Sequence, residues 1–213
     1  MNTHLHILEA YANLYREWPD ERLRQQIKAL LGDFTTHLID PQTNHLILFL
    51  DEHWQPRPDA VSYGHDVEAA WLLLEAAEVL HEPDLIAHFQ QMAVRLARAA
   101  AEGLAPDGAL TYELHPNGHL DADRHWWVQA EAVVGFYNAY QVSGDAQFQA
   151  MAEGAWRFTQ QHILNKENGE WFWGVHADGS LMTGEDKAGF WKCPYHNGRA
   201  CLEMLRRLNA PQL

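Results

Sequence analysis

A histidine that follows a proline and two aromatic residues stands out near the end of the chain. His196 comes two residues after Pro194, directly after Tyr195 and five residues after Trp191. Because proline suits the first turn of a helix, we expect His196 at a helix N-terminus. The partial positive charge there disfavours an imidazolium ion, so this stretch predicts a neutral acid/base histidine in a sugar pocket. A histidine that only caps a helix and packs on tryptophan explains the same residues.

Histidines recur along the chain at a nearly constant interval. His6, His65, His125 and His196 each stand at the start of a predicted helix, about 60 to 70 residues apart, which indicates a repeat. The predicted unit is a helix, a tight turn, a second helix and a loop with a short hairpin. Such units stack because one helical pair cannot bury its own apolar face. Equivalent positions in a ring of pairs converge at one end, so the four histidines are expected to share one pocket.

The predicted elements form a single all-α domain over residues 1–213, with short β-hairpins in its loops. Apolar periodicity predicts helices at 3–18, 21–39, 65–81, 83–101, 125–143, 145–164 and 195–208. Short strands are predicted at 45–49 and 110–113, and the turn signals at 168–169 and 178–179 predict a hairpin. The repeats then run over about 3–60, 62–120 and 123–190, and the helix at 195–208 follows them.

Composition argues against several classes of partner. The 213 residues carry a formal net charge of −14 without a basic cluster, which argues against nucleic acid and anionic membranes. No apolar run approaches the roughly 18 residues of a membrane span. The chain has only two cysteines, and its N-terminus lacks the pattern of a signal peptide, so we expect a cytoplasmic protein. The nine tryptophans are a weak indication of sugar binding.

Acidic residues follow a histidine or tryptophan by one helical turn. Glu68 lies three residues after His65, and Glu131 lies four residues after Trp127, so each pair shares a helix face. A carboxylate at this spacing can orient an imidazole and fix its tautomer. Trp71 continues the face of Glu68, although a core tryptophan explains it equally well.

The large number of histidines raises the question of a metal site. His4 and His6 lie about 200° apart on a regular helix, so they cannot both bind one ion. The HExxH motif of zinc hydrolases does not occur, and the cysteine at 193 is isolated from other ligands. We therefore expect no metal ion.

Four segments resemble the cellobiose 2-epimerases of the N-acylglucosamine 2-epimerase superfamily. They are residues 2–11, 62–66, 125–131 and 191–197, in order and spread over nearly the whole chain. The resemblance implies an (α/α)6 barrel, which agrees with the helical repeat. The family barrel has six helical pairs and about twice this length, so we expect this chain to correspond to the C-terminal half of such a barrel.

The resemblance also implies roles for individual residues. It implies that His65 and His196 are the paired acid/base histidines, with Glu68 and Glu131 as further catalytic residues. The substrate-binding residues that it implies are Asn2, His6, Trp71, Trp127 and Trp191. It implies no cofactor, because the open-chain aldehyde of a sugar acidifies its own neighbouring proton.

The reaction that the resemblance implies is 2-epimerisation of the reducing-end glucose of a β-1,4-linked disaccharide to mannose. An aldose–ketose isomerase that uses the same enediol, and an inactive half-barrel that only binds sugar, remain alternatives. The family's substrate-binding arginine belongs to its N-terminal half and has no counterpart here, so we expect little activity from this chain alone. We also expect either self-association or a requirement for a separate N-terminal half, because the terminal helical pairs are apolar.

Overall fold

The computed structural model describes residues 1–209, which form seven α-helices and five two-residue strands. The helices are α1 (Asn2–Glu17), α2 (Glu21–Asp33), α3 (Tyr63–Glu78), α4 (Pro83–Ala100), α5 (Trp126–Ser143), α6 (Ala146–Phe158) and α7 (Tyr195–Asn209). The strands are β1 (Val61–Ser62), β2 (Glu113–Leu114), β3 (Leu120–Asp121), β4 (Arg124–His125) and β5 (Gly174–Val175). The mostly helical fold predicted from the apolar periodicity is confirmed.

The second helix of the first and third repeats begins and ends in the same way. Aspartates cap α2 and α6: Asp20 accepts the backbone N–H of Arg22, and Asp145 accepts that of Gln147. Both helices then continue into a wider turn, at Phe34–Leu38 and Thr159–Ile163, where backbone hydrogen bonds reach back five residues. The predicted helices at 21–39 and 145–164 include these turns.

The helices that carry the repeated histidines lie side by side. Helix α3 packs between α1 and α5, and α5 packs between α3 and α7, while α2, α4 and α6 each cover the helix before them. The α3–α5 contact is very close at Gly135, where an added Cβ would lie 2.3 Å from the carbonyl oxygen of Val67. Within residues 1–209, no helix is both long and apolar enough to cross a membrane.

The short strands fasten the loops at one end of these helices. Strands β1, β2 and β3 form an antiparallel sheet in which Ser62 pairs with Glu113, directly before α3 begins. Strands β4 and β5 pair His125 with Gly174, directly before α5 begins. Each pair therefore fixes the entry to a helix whose first turn carries residues of the candidate site.

Two predicted strands are replaced by side-chain contacts. The strand predicted at 45–49 is wrong: Leu46 forms a single bridge to Ile39, and the carboxylate of Asp66 accepts its backbone N–H at 2.8 Å. The strand predicted at 110–113 is also misplaced, because β2 begins only at 113. The amide of Gln129 instead bonds both the N–H and the carbonyl oxygen of Leu110. Polar side chains from α3 and α5 thus supply hydrogen bonds that a neighbouring strand would otherwise provide.

The hairpin predicted near residues 168–179 is only partly formed. Gly169 and Gly179 have φ angles of 67° and 84°, as tight turns require, and single bridges join Leu164 to Trp171 and Val175 to Leu181. Within residues 168–179, the only regular strand is β5, which pairs with β4.

Candidate active site

A cavity of about 330 Å³ opens where the N-terminal parts of α1, α3, α5 and α7 meet. All four repeated histidines line this cavity, as their spacing predicts: they are His6, His65, His125 and His196. The remaining lining residues are Asn2, Glu68, Tyr112, Trp126, Trp127, Trp173 and Trp191. The repeat therefore brings several acid/base groups and aromatic rings to one place.

The first residue of the predicted acid/base pair, His65, lies in the first turn of α3. Its Nδ1 is 2.8 Å from Oγ of Ser62, and its ring lies 4.8 Å from that of Trp127. Glu68 was expected to orient this ring, but among the described residues Ser62 does so. Burial, followed by the positive charges of His6 and His196, lowers the pKa of His65 to about 4. A neutral imidazole at this position can accept a proton at pH 7.

The second residue of the pair, His196, stands in the first turn of α7, where the sequence predicts it. Its Nδ1 is 2.8 Å from Oε1 of Glu131 and 3.8 Å from Oε1 of Glu68. The ring of Trp127 lies 5.5 Å away, so this indole contacts both histidines. The bond to Glu131 orients the imidazole so that Nδ1–H donates to the carboxylate and Nε2 is left for a substrate.

An arginine that the sequence analysis did not single out joins the acidic residues of the site. Nη2 of Arg199 lies 2.6 Å from Oε1 of Glu68 and 2.7 Å from Oε1 of Glu131. Its Nη1 lies 2.7 Å from Oε1 of Glu9, and its guanidinium covers the ring of Trp71 at 4.9 Å. Arg199 therefore ties together the first, third, fifth and seventh helices. On the sequence it is an ordinary polar residue of an amphipathic helix.

The two buried carboxyl groups are pushed in opposite directions. Burial opposes ionisation of Glu131, but the charge of Arg199 and the hydrogen bond from His196 prevail and lower its pKa to about 2. Burial and the neighbouring charge of Glu131 raise the pKa of Glu68. Oε2 of Glu68 has no hydrogen-bond partner within residues 1–209. Two carboxyl groups in one site with separated pKa values are suited to different tasks.

On the opposite side of Arg199, α1 is joined to α7 by a second polar group. Nδ1 of His6 lies 3.7 Å from Oε2 of Glu9 and 3.3 Å from the hydroxyl of Tyr195. That hydroxyl donates to Glu9 and accepts from Arg199. The hydrogen bond to Glu9 raises the pKa of His6. The pKa values of His6 and His65 are thus shifted in opposite directions.

The tryptophans implied by the resemblance lie in three different environments. Trp127 is partly buried between the two histidines, and Trp191 is 78% exposed at the rim of the cavity. Trp71 is only 1% exposed and does not line the cavity; its Nε1 donates to Oε2 of Glu131 at 3.0 Å. Trp71 therefore contacts a residue of the site, and Asn2 is exposed at the cavity edge.

Sequence reasoning missed two aromatic residues that loops bring to the cavity. The rings of Tyr112 and His125 lie 4.1 Å apart, and Trp173 approaches His125 edge-on at 6.3 Å. Tyr112 precedes β2 and Trp173 precedes β5, so strand pairing places both. No periodic signal marks them in the sequence, although Trp173 belongs to an aromatic run.

Three potential metal ligands also meet in this site. Atoms of Glu68, Glu131 and His196 lie within 4.8 Å of one another. The guanidinium of Arg199 is already bonded to both carboxylates, and it supplies the positive charge that a metal ion would bring. These contacts favour an ionic cluster of protein groups.

The family model described as N-acylglucosamine 2-epimerase (GlcNAc 2-epimerase) matches residues 1–200 of the chain. A cellobiose 2-epimerase of Bacteroides fragilis is 53% identical over 206 residues, which are 96% of this chain and 53% of that relative. A solved structure of cellobiose 2-epimerase from Bacillus thermoamylovorans has a TM-score of 0.92 at 44% identity, and the match covers 97% of this chain and 53% of that one.

A structure of D-mannose isomerase shares the fold, with a TM-score of 0.84 at 22% identity over 97% of this chain and 56% of the other. The chain therefore spans about half the length of the relatives it matches. On the match over residues 1–200 and the identity to curated epimerases, the chain belongs to the N-acylglucosamine 2-epimerase family.

Proposed function

We propose that this chain carries the acid/base centre of an enzyme that converts the reducing-end glucose of cellobiose or lactose into mannose. The observation that supports it most is the arrangement of His65 and His196 about Trp127. The Nδ1 of each imidazole is already hydrogen-bonded, to Ser62 and Glu131 respectively. Both Nε2 atoms are then available to a sugar in the cavity.

The reaction needs two proton transfers at one carbon. The sugar ring opens first, and the resulting aldehyde acidifies the proton on C2. One histidine removes that proton and leaves an enediol or enediolate. The sugar then turns, and the other histidine returns a proton to the opposite face of C2. C2 loses and regains a proton and no hydride is transferred, so this sequence of steps uses no oxidant or reductant.

The electrostatics of the site suit this division of work. The lowered pKa of His65 makes it a neutral base at pH 7. The carboxylate of Glu131 is bonded to Nδ1 of His196 and fixes the orientation of that ring. Glu68 lines the cavity, and its Oε2 is free of protein partners within residues 1–209 and so is available to a sugar hydroxyl. The indoles of Trp127 and Trp191 offer flat apolar faces for the sugar rings.

Proton NMR of cellobiose or lactose in D₂O tests the proposal directly. Incorporation of deuterium at C2 together with a mannose product is expected for the epimerase. A ketose product would assign the chain to the isomerases. No exchange in any associated state of the chain, together with no quenching of tryptophan fluorescence by cellobiose, would contradict both activities.

We further propose that a second copy of this chain covers the apolar faces at the two ends of the helical row. Leu202, Leu205 and Leu208 of α7 are 60 to 70% exposed, and a groove of about 610 Å³ separates α7 from α6. At the other end, Leu14 of α1 and the adjoining Trp18 are also exposed. Apolar faces of this kind mark interaction surfaces.

Size-exclusion chromatography with light scattering tests this association. A dimer that dissociates when Leu205 is replaced by glutamate is expected, with the D₂O assay run on each fraction. A persistent monomer that gains activity only with a separate chain carrying the remaining part of the relatives' length would replace the second copy by that chain. A monomer with full turnover would show that activity needs neither the second copy nor the separate chain.

A further inference from the structure

A lysine is the buried residue of an otherwise exposed loop. Residues 183–194, which we call the aromatic arm, contain no regular helix or strand and join the hairpin after α6 to α7. Phe190 and Trp191 in this arm are 91% and 78% exposed, whereas Lys192 between Trp191 and α7 is 0% exposed. A charged side chain is almost never fully buried unless it is paired, so this burial requires a reason.

The ammonium group of Lys192 is fully engaged. Its Nζ lies 3.0 Å from Oε1 of Glu170 and 2.9 Å from the carbonyl oxygen of Lys187, and it lies over the ring of Trp126 at 5.3 Å. Trp126 lines the cavity at the start of α5. An ammonium group in these contacts is not available as a nucleophile or a base. Lys192 therefore fastens the arm to the wall of the cavity.

The acidic partner of Lys192 also reaches the helix that carries His196. Oε1 of Glu170 accepts from Nδ2 of Asn197 at 2.8 Å, and Asn197 directly follows His196. One carboxylate thus links the aromatic arm to the first turn of α7. Phe190 and Trp191 pack edge to face at 4.9 Å, so each ring contacts the other on the arm.

We propose that Lys192, bound to Glu170, is the positioning residue that holds the Phe190–Trp191 pair at the rim of the cavity and so sets the affinity for sugar. The pair of rings has few other contacts that would hold it there, since both are largely exposed. Breaking the ion pair releases the arm from α5 while the packed core remains. The part of this proposal that concerns sugar rests on the proposed function; the part that concerns the arm does not.

Chymotrypsin tests the anchoring, because it cleaves after Phe190 and Trp191. In Glu170→Gln and Lys192→Met we expect cleavage at these two bonds to be faster by about tenfold or more, with the melting temperature of the core nearly retained. Glu185→Gln is the matched control, because it makes the same change of side chain at an exposed position of the arm and leaves the ion pair intact. Should Lys192→Met fail to fold, Glu170→Gln decides, since it removes the negative charge that pairs with Lys192 and hardly changes the side-chain volume. Cleavage of Glu170→Gln at the parent rate overturns the proposal.

A double-mutant cycle tests the effect on sugar. Trp191→Ala alone should weaken cellobiose binding, measured by tryptophan fluorescence, by about fivefold to tenfold. In the Glu170→Gln background the same substitution should have little further effect, because the indole has already left the rim. If the effects of the two substitutions on the free energy of cellobiose binding are fully additive, Lys192 has a purely structural role and its positioning role is overturned. If the parent binds no cellobiose, the proposed function fails, while the cleavage assay still decides whether Lys192 anchors the arm.

Discussion

The two helices that carry the predicted acid/base histidines are held in different ways. Helix α3 lies between two neighbours, and nearly every residue from Tyr63 to Ala77 is buried. Helix α7 has a neighbour on one side, and of its side chains only Asn197 and Ala200 are buried. His65 is therefore fixed by packing, whereas the position of His196 depends on the ionic contacts of Arg199 and Glu131.

The two helices illustrate two ways in which a protein can fix the geometry of a site. A packed interior resists displacement because any shift opens voids or creates overlaps among many atoms. An ionic cluster holds by a few directed bonds, whose strength depends on the protonation of each member. The α3 side of the site should therefore respond to changes in side-chain volume, and the α7 side to changes in charge.

The largest effect is expected from removing either histidine. His65→Asn and His196→Asn should each slow deuterium exchange at C2 by about 10²- to 10⁴-fold in whatever assembly is active, with the fold retained. His88→Asn, an exposed histidine on α4, is the control. Exchange near the parent rate in either variant would end the acid/base assignment.

Loss of the arginine should have the next largest effect, on stability. Arg199→Met leaves Glu131 and Glu68 without their shared counter-ion, at a cost of about 3–5 kcal/mol in the free energy of unfolding at pH 7. Because the folded pKa of Glu131 is lowered to about 2, its stabilising contribution is present above pH 4.5 and declines as the pH falls towards 2. Urea unfolding at pH 7 and pH 3 should show the deficit shrinking at the lower pH.

Arg206→Met on the same helix is the control for that experiment, because Arg206 is largely exposed and, within residues 1–209, forms its ion pair with Glu203. Equal losses in the two variants would mean that α7 is not held by the buried cluster.

The pH dependence of stability should differ on the α3 side. The pKa of His65 is lowered from 6.5 to about 4 in the folded chain, so the unfolded chain binds more protons between these values. Stability therefore falls as the pH drops through this window, by about 3–4 kcal/mol at most. Unfolding curves of His65→Asn should lose this part of the pH dependence, and a dependence identical to that of the parent would contradict it.

A smaller loss is expected where α3 and α5 touch. Gly135→Ala places a Cβ against the backbone of Val67 and should cost about 1–3 kcal/mol by forcing the helices apart. Gly32→Ala in α2 meets no atom within 4 Å and should instead stabilise by about 0.5–1 kcal/mol. Thermal melts of the two variants test whether packing holds α3.

The smallest effect on stability is expected for Trp191 at the rim of the cavity. Trp191→Ala should lower the melting temperature very little, because the ring is largely exposed, but it should weaken sugar binding. Trp127→Ala should weaken binding more, because this ring contacts both histidines. A large loss of stability with unchanged sugar affinity would assign the two rings to the core.

The sequence predicts the helices because apolar residues recur at the helical period. It predicts that the histidines meet because they recur at the interval of the helical repeat. The bounds of α4 and α7 lie within a residue of those predicted. Period cannot predict Arg199, whose partners lie on three other helices that only the packed structure brings together. The same holds for Lys192, which looks like a surface residue of a polar loop.

The spacing of residues within one helix predicts contacts less accurately than the helical repeat does. The three-residue spacing of His65 and Glu68 predicts that these two residues contact each other. In the structure, His65 bonds to Ser62 and Glu68 bonds to Arg199. Both residues face the cavity, but the carboxyl of Glu68 is drawn towards the positive charge on α7. A shared helix face thus identifies neighbours of the site, while the distribution of charge decides which groups bond.

A histidine recurs near the start of α1, α3, α5 and α7, and this recurrence bears on the stereochemistry of proton transfer. A repeat places the same functional group at successive positions around a common centre. The copies therefore approach that centre from different directions. A single general base can address one face of a carbon atom, whereas two copies from different helices can address both. Under the proposed mechanism, recurrence of histidine in successive helical pairs would supply acid/base groups for both faces of C2 from one kind of residue.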